Sequence, residues 1–99
     1  DLVSGGGIFN NFDTVVLNDS IVRGNTATGD RASDGGGIFN NFGDVTLNGS
    51  STVTSNTAES TGGVADGGGI LNNSGSVTLN GSSAVFGNTP DDCFPPGSC

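Results

Sequence analysis

Few side chains in this sequence have the chemistry of a catalyst. The 99 residues contain no His and no Tyr, and Arg23 and Arg31 are the two basic residues. General acid–base catalysis draws mainly on His, Lys, Tyr and positioned carboxylates, and a Ser or Thr nucleophile needs a base beside it. The abundant Ser and Thr have no such base nearby in the sequence. We predict that the chain is not an enzyme and that it uses no cofactor.

Two carboxylates at equivalent positions are the best candidates for a metal site. Asp34 and Asp66 each come directly before a Gly-Gly-Gly block. Stacked one above the other they could hold Ca²⁺, which prefers oxygen ligands. The Gly-Gly-x-Gly-x-Asp repeat of calcium-binding β-rolls is absent, however. We interpret the pair as solvated loop carboxylates and predict no metal site, with Ca²⁺ at this pair as the open alternative.

The two cysteines lie close together near the C-terminus. Cys93 and Cys99 enclose Phe-Pro-Pro-Gly-Ser, a turn sequence that makes their pairing sterically easy. An Asn- and Gly-rich β sequence without Lys or His fits an extracellular protein, in which disulfides persist. We predict a Cys93–Cys99 disulfide that closes the C-terminal end. The alternative is two reduced cysteines in a frayed tail.

A repeat positions the remaining polar residues. Gly-Gly-Gly-Ile begins at residues 5, 35 and 67, with spacings of 30 and 32 residues. Periods of this size are typical of solenoids and arrays. We therefore divide the single domain 1–99 into repeats and a C-terminal cap, with the bounds 5–34, 35–66, 67–89 and 90–99.

Each repeat contains three short segments in which apolar and polar residues alternate, as in β-strands. Val45 and Leu47, for example, flank Thr46 and fall on one face of a strand. The linkers 26–34 and 57–66 differ in length and sequence, and we expect them to be surface loops. Three short strands in about 30 residues are too few for a propeller blade. The predicted fold is all-β, a parallel β-helix (solenoid) of about three coils with 30–32 residues per coil.

Asn recurs at two equivalent positions in every repeat. Stacked repeats would place like residues about 4.8 Å apart, and stacked Asn side chains hydrogen-bond along the stack. Asn also tolerates the left-handed backbone that a corner requires. We predict two structural Asn ladders, formed by Asn10, Asn40 and Asn72 and by Asn25, Asn56 and Asn88.

A set of large apolar residues alternates with the inward Ile and Asn positions. We expect these residues to form an apolar stripe on one outer face, and such stripes usually mark a binding surface. Its predicted members are Phe9, Phe12, Phe39, Phe42 and Leu71. The alternative is that loops fold over them or that they pack in corners, because a shift of one residue along a strand reverses the side that its residues face.

The charge of the chain excludes two classes of partner. A formal net charge of −8 repels nucleic-acid backbones and anionic membrane surfaces. The longest apolar run is Val-Val-Leu at 15–17, far too short to span a membrane. We predict no nucleic-acid binding and no membrane insertion, and we interpret the charge as a solubility feature.

The repeat motif resembles that of a known family. Gly-Gly-Gly-Ile at 5–8, 35–38 and 67–70 is combined with a hydrophobe-x-x-Asn motif at 22–25, 53–56 and 85–88. This combination resembles the repeats of polymorphic outer-membrane proteins, which pair a Gly-Gly-Ala-Ile-like block with Phe-x-x-Asn. Here Val replaces that Phe and a third Gly replaces the Ala. More broadly the chain is similar, through Thr89, to the right-handed parallel β-helix class of pectate-lyase-like proteins, bacterial adhesins and passenger domains.

The resemblance implies a right-handed fold but is weak for function, because the class includes lyases, binding modules and inert stalks. We expect a non-enzymatic structural and adhesive module of a secreted or cell-surface bacterial protein. Its partners would be a second copy, neighbouring coils of a longer chain, or a surface glycan or protein. The alternatives are a subunit of an end-to-end stacked extracellular fibre, a carbohydrate-binding module and, last, an enzyme fragment. The absence of Trp and Tyr weighs against sugar stacking.

Overall fold

The computed structural model describes residues 2–99, which form short β-strands joined by tight turns. No helix occurs in this part of the chain, and so none that could cross a membrane. The strands, in chain order, are β1 (Leu2–Ser4), β2 (Ile8–Asn11), β3 (Thr14–Asn18), β4 (Ile21–Arg23), β5 (Thr26–Gly29), β6 (Ala32–Asp34), β7 (Ile38–Asn41), β8 (Asp44–Asn48), β9 (Thr52–Thr54), β10 (Thr57–Ser60), β11 (Val64–Asp66), β12 (Ile70–Asn73), β13 (Ser76–Leu79), β14 (Ala84–Phe86) and β15 (Cys93–Phe94).

The strands pair in parallel between equivalent positions of successive repeats. The five sheets have the strand orders β1–β6–β11, β2–β7–β12–β15, β3–β8–β13, β4–β9–β14 and β5–β10. The register matches like with like, so that Ile38 lies between Ile8 and Ile70. The predicted all-β class with parallel strands is therefore confirmed.

The core is formed by the alternating inward residues and is most complete in the second repeat. Ile38, Val45, Leu47 and Val53 are fully buried there. In the first repeat, Ile8, Val15 and Leu17 are only partly buried because no strand covers them, whereas Val22 is buried. Leu79, which pairs in register with the inward Leu47, is 38% exposed because β13 has a partner strand on one side only.

The linkers 26–34 and 57–66 are not loops, contrary to the sequence-based expectation. They form β5, β6, β10 and β11, which pair with one another in register. Their inward positions are taken by small residues, with Ala27 and Ser33 fully buried and Ala58 nearly so. Small side chains let the backbone approach the core closely, and they leave too weak an apolar alternation to indicate a strand.

The two-residue difference in repeat length is absorbed in two turns. Two residues separate β3 from β4 and β5 from β6, whereas three separate β8 from β9 and β10 from β11. The extra residues lie within the turns, so the strands on either side stay in register. Gly63, in the longer second turn, packs directly against the carbonyl of Arg31, where no larger residue would fit.

The glycine block that begins each repeat turns the chain where backbones meet. Gly35 adopts a left-handed conformation with φ of 65°, which Gly reaches without steric cost. A Cβ on the next residue, Gly36, would collide with the carbonyl oxygens of Gly68 and Thr57. The block is therefore a structural requirement of the stack.

Residues 91–94 imitate the start of a fourth repeat. Ile70 N–H donates to the Asp92 carbonyl over 2.9 Å, just as Ile38 N–H donates to the Gly69 carbonyl over 2.8 Å. The Asp91 side chain accepts from Gly68 N–H over 3.0 Å. Cys93 and Phe94 then pair with Ile70 and Leu71 as β15. Pairing ends there because the next two residues are prolines, which have no N–H to donate.

A disulfide joins Cys93 to Cys99, with 6.1 Å between their Cα atoms. The Cys93 side chain packs against the core cluster. Cys93 pairs in register with Ile70. Ile70 belongs to the last full repeat, where no further repeat covers it, yet it is fully buried. The disulfide loop thus holds a cover over one of the five sheets.

We expect the double substitution Cys93→Ser and Cys99→Ser to lower the free energy of unfolding by about 2 kcal/mol, the loop-closure entropy of so short a loop. Urea unfolding of the variant and of the wild type measures the difference. Unfolding the wild type with a reductant present is the matched control, and it should reproduce the variant. Equal midpoints for oxidised and reduced protein would contradict a stabilising role of the disulfide.

Candidate functional site

Asn10, Asn40 and Asn72 form a chain of side-chain hydrogen bonds through the interior. Asn10 Nδ2 donates to Asn40 Oδ1 over 2.8 Å, and Asn40 Nδ2 donates to Asn72 Oδ1 over 2.8 Å. Asn40 is fully buried, and its Nδ2 also donates to the Gly43 carbonyl over 2.9 Å. The amide row therefore also holds the turn that follows each strand.

The second row, Asn25, Asn56 and Asn88, is bonded through both side chain and backbone. Asn56 Oδ1 accepts from the backbone N–H and the side-chain Nδ2 of Asn25, each over 3.0 Å. Asn88 Oδ1 accepts from Asn56 in the same way. Asp92 ends the row, because its Oδ1 accepts from the N–H and Nδ2 of Asn88 over 2.9 and 3.1 Å. A carboxylate takes the place of a fourth amide.

Two further Asn rows face outward and were not predicted. Asn41 Nδ2 donates to Asn11 Oδ1 over 2.8 Å, and Asn73 Nδ2 donates to Asn41 Oδ1 over 2.7 Å. A similar row joins the side chains of Asn18, Asn48 and Asn80. The signal for both was present, since each Asn recurs at the repeat spacing and lies at the end of a strand or, for Asn80, directly after it.

The phenylalanines of the predicted stripe form two pairs on the outside of the first two repeats. Phe9 and Phe39 meet edge to face with ring centroids 5.4 Å apart, and Phe9 is 55% exposed. Phe12 and Phe42 are stacked with centroids 5.2 Å apart and planes within 7° of parallel. Both of these rings are exposed, by 69% and 51%.

Leu71 does not belong to the exposed stripe, contrary to the prediction. It is 9% exposed. It lies in the middle of its sheet, with Phe39 in the neighbouring position on one side and Phe94 on the other. The sequence pattern did not reveal this, because Phe94 comes from the C-terminal segment and not from a repeat.

Phe12 and Phe42 have a backbone conformation that is unusual for a bulky residue. Their φ angles are 60° and 56°, and Ser74 at the same position of the third repeat has φ of 58°. The left-handed region is a rare outlier for bulky side chains and costs on the order of 1–3 kcal/mol. Two aromatic rings are thus held in solvent at positions where Gly or Asn would be less strained.

The phenylalanines and outward asparagines of β2, β7 and β12 and of the turns that directly follow these strands form a set that we call the outer strip. Its central row is the exposed amide row of Asn11, Asn41 and Asn73, with an aromatic pair on each side. On one side the row is flanked by Phe9 and Phe39, and on the other by Phe12 and Phe42, which directly follow Asn11 and Asn41. Residues 2–99 contain no pocket, so the strip is an open surface.

The two carboxylates considered for a metal lie side by side in one sheet. Asp34 pairs in register with Asp66 across β6 and β11. Burial raises the pKa of Asp34 above its ordinary value of 3.8, and the Asp66 carboxylate raises this pKa further. Within the described residues, no group of three or more His, Cys, Asp or Glu side chains is placed to hold a metal ion.

Comparison of the chain with protein-family models, curated proteins and solved structures gives no significant match. The resemblance to polymorphic outer-membrane-protein repeats therefore stays a prediction.

We expect Asn40→Ala to lower the free energy of unfolding by about 2–3 kcal/mol, because it leaves buried polar partners without a hydrogen bond. Asn41→Ala is the matched control. It removes the neighbouring amide of the same strand, but from the exposed row, and should cost about 0.5 kcal/mol. Urea unfolding of both variants measures the difference. Equal losses would contradict the assignment of the inner row as the structural one.

The raised pKa of Asp34 gives a pH dependence of known sign. Between pH 3.8 and the native pKa, the folded state binds more protons than the unfolded state, so stability falls as the pH rises through this window. Asp34→Asn removes this ionisation. The variant should be more stable than the wild type at pH 7, and the difference should vanish below pH 3.8. Urea unfolding at several pH values measures the difference in free energy of unfolding. Glu59→Gln, which removes an exposed charge, is the control. An equal gain in stability from Glu59→Gln would indicate a general charge effect.

Proposed function

We propose that this chain is a non-enzymatic structural and adhesive module of a secreted or cell-surface protein, folded as a right-handed parallel β-helix of about three coils. The pairing of like residues in all five sheets is what supports the fold, since successive repeats then lie one above another. A stack of this kind is a rigid stalk that presents repeated side chains at fixed spacing.

The observation that carries the adhesive function is the outer strip. Phe9, Phe12 and Phe42 are exposed and Phe39 is half-buried. The four rings form two contacting pairs, and one pair has a strained backbone conformation. Phe12 is 69% exposed, so most of its ring contributes nothing to the core. Clustered apolar groups on a surface are typical of contact with a partner.

An end-to-end fibre is the less favoured function. Head-to-tail stacking would require β2 of one copy to pair with β12 of the next. Cys93 and Phe94 already pair along that edge of β12, and the disulfide holds them there. The edges of β11, β13 and β14 are open, but the covered edge of β12 interrupts the end surface.

The adhesive function predicts that beads coated with the protein are retained under flow on surfaces coated with mucin, collagen or cross-linked dextran. Phe9→Ser combined with Phe39→Ser should abolish retention, because it removes one aromatic pair of the strip. Ile21→Ser combined with Phe86→Ser is the matched control, since these residues are similarly exposed but lie on another sheet.

Retention that is the same for wild type, strip variant and control would contradict the adhesive function, as would retention on none of the three surfaces. Light scattering on the same samples measures their mass. A mass that grows with concentration and is unaffected by the strip variant would favour the fibre instead.

A further inference from the structure

The outer strip combines two chemistries that together match one class of ligand. We infer that it binds an uncharged polysaccharide strand, an inference that rests on the adhesive function proposed above. In place of the Trp and Tyr that the chain lacks, the exposed phenylalanines would give apolar contacts to the C–H groups of the sugars, and the amides would hydrogen-bond their hydroxyl groups. The strip runs along the stack, so an extended chain of sugars would follow the same direction.

The amide row has unused hydrogen-bonding capacity. A primary amide offers two N–H donors and an oxygen with two lone pairs. Within the row, Asn41 uses one N–H toward Asn11 and one lone pair toward Asn73. One N–H donor and one acceptor lone pair therefore remain free on Asn41. They lie next to the side-chain amides of Asn11 and Asn73 in the same row. A hydroxyl group, which both donates and accepts, fits this pattern better than a group that does only one.

The charges near the strip argue for a neutral ligand. Asp13 directly follows Phe12, and Asp44 lies two residues beyond Phe42, both exposed. Arg23 and Arg31, the two cations of the chain, lie at the end of β4 and between β5 and β6. The strip thus has no positive group for a uronate or a sulfate, and the net charge of −8 repels such polymers.

The size of the strip favours a glycan over a second copy of this chain. Across the strands, three repeats spaced about 4.8 Å apart span roughly 10 Å. Along each strand, four residues with a rise of about 3.3 Å also span roughly 10 Å, which gives a footprint of roughly 10 by 10 Å. A stable protein interface buries about 800 Å² on each partner, several times more. A few sugar rings cover such a footprint, and further affinity would come from repetition along a longer chain.

The backbone strain at Phe12 and Phe42 is explained by the same ligand. Ser74 occupies the equivalent position of the third repeat in the same conformation, so the turn itself does not require an aromatic ring. Gly at this position would relieve the strain. A large ring thus occupies a position at which Ser serves the same turn, which is expected of a binding residue.

Affinity electrophoresis tests the inference with soluble polysaccharides in the gel. Two uncharged polymers, a β-glucan and a galactomannan, are compared with polygalacturonate. We expect at least one uncharged polymer to retard the protein and polygalacturonate not to. Asn41→Ala should weaken the binding about fivefold to tenfold, the effect of one lost hydrogen bond. Asn48→Ala, in the outward row without flanking phenylalanines, should leave it unchanged.

Phe42→Gly separates binding from folding. It should weaken retardation while changing the urea midpoint little, because the relief of backbone strain offsets the lost stacking on Phe12. A purely structural role of Phe42 predicts a lower midpoint instead.

Retardation by neither uncharged polymer would overturn the inference, as would equal loss of binding in Asn41→Ala and Asn48→Ala. Light scattering that detects a dimer, dispersed by Phe9→Ser with Phe39→Ser, would assign the strip to a second copy. The bead assay keeps the two proposals apart. If adhesion depends on the strip but no uncharged polymer binds, the adhesive function stands and the glycan inference fails.

Discussion

Parallel pairing between residues about thirty positions apart is the constraint on which the rest of this structure depends. In a parallel in-register stack, each side chain lies between its own equivalents. Apolar residues accept many neighbours, but a buried polar residue needs a partner with matching donors and acceptors. Asn is complementary to itself, because its amide donates on one side and accepts on the other. A slip of one residue would leave Asn40 buried without its partners, so the amide rows oppose any other register.

The strand class and the parallel pairing could be predicted from the sequence. The spacing of Gly-Gly-Gly-Ile and the alternation around Val45 and Leu47 were enough to predict an all-β chain with parallel strands. The strands at 26–34 and 57–66 were not predictable in the same way. Ala27, Ala58 and Ser33 face inward there, and such small residues carry little strand propensity of their own. Those segments are extended because the neighbouring repeats supply partners, which is information that no local window contains.

The outer strip was partly predictable for a similar reason. Period-two alternation placed Phe9 and Phe39 outside, but it could not reveal that Phe94 would lie beside Leu71. The positive φ angles of Phe12 and Phe42 were not predictable from the sequence. Positive φ is common for Gly and enriched for Asn, but it is rare for a bulky residue such as Phe. The outward amide row of Asn11, Asn41 and Asn73 recurred as regularly as the inner rows. It was missed because an exposed Asn at a strand end is normally explained as a turn residue.

The pairing distance also governs when this chain can begin to fold. Among the strands of residues 2–99, none pairs with another strand of its own repeat, so a single repeat has no sheet to join. During synthesis at about 5–20 residues per second, some 2 to 6 seconds pass before a strand meets the partner encoded thirty residues later. Contacts of such high sequence separation are formed slowly even in a complete chain, because loop-closure entropy is lost before any contact is gained. Once two repeats are paired, however, their exposed edge is a ready template, and each later repeat adds to it in chain order.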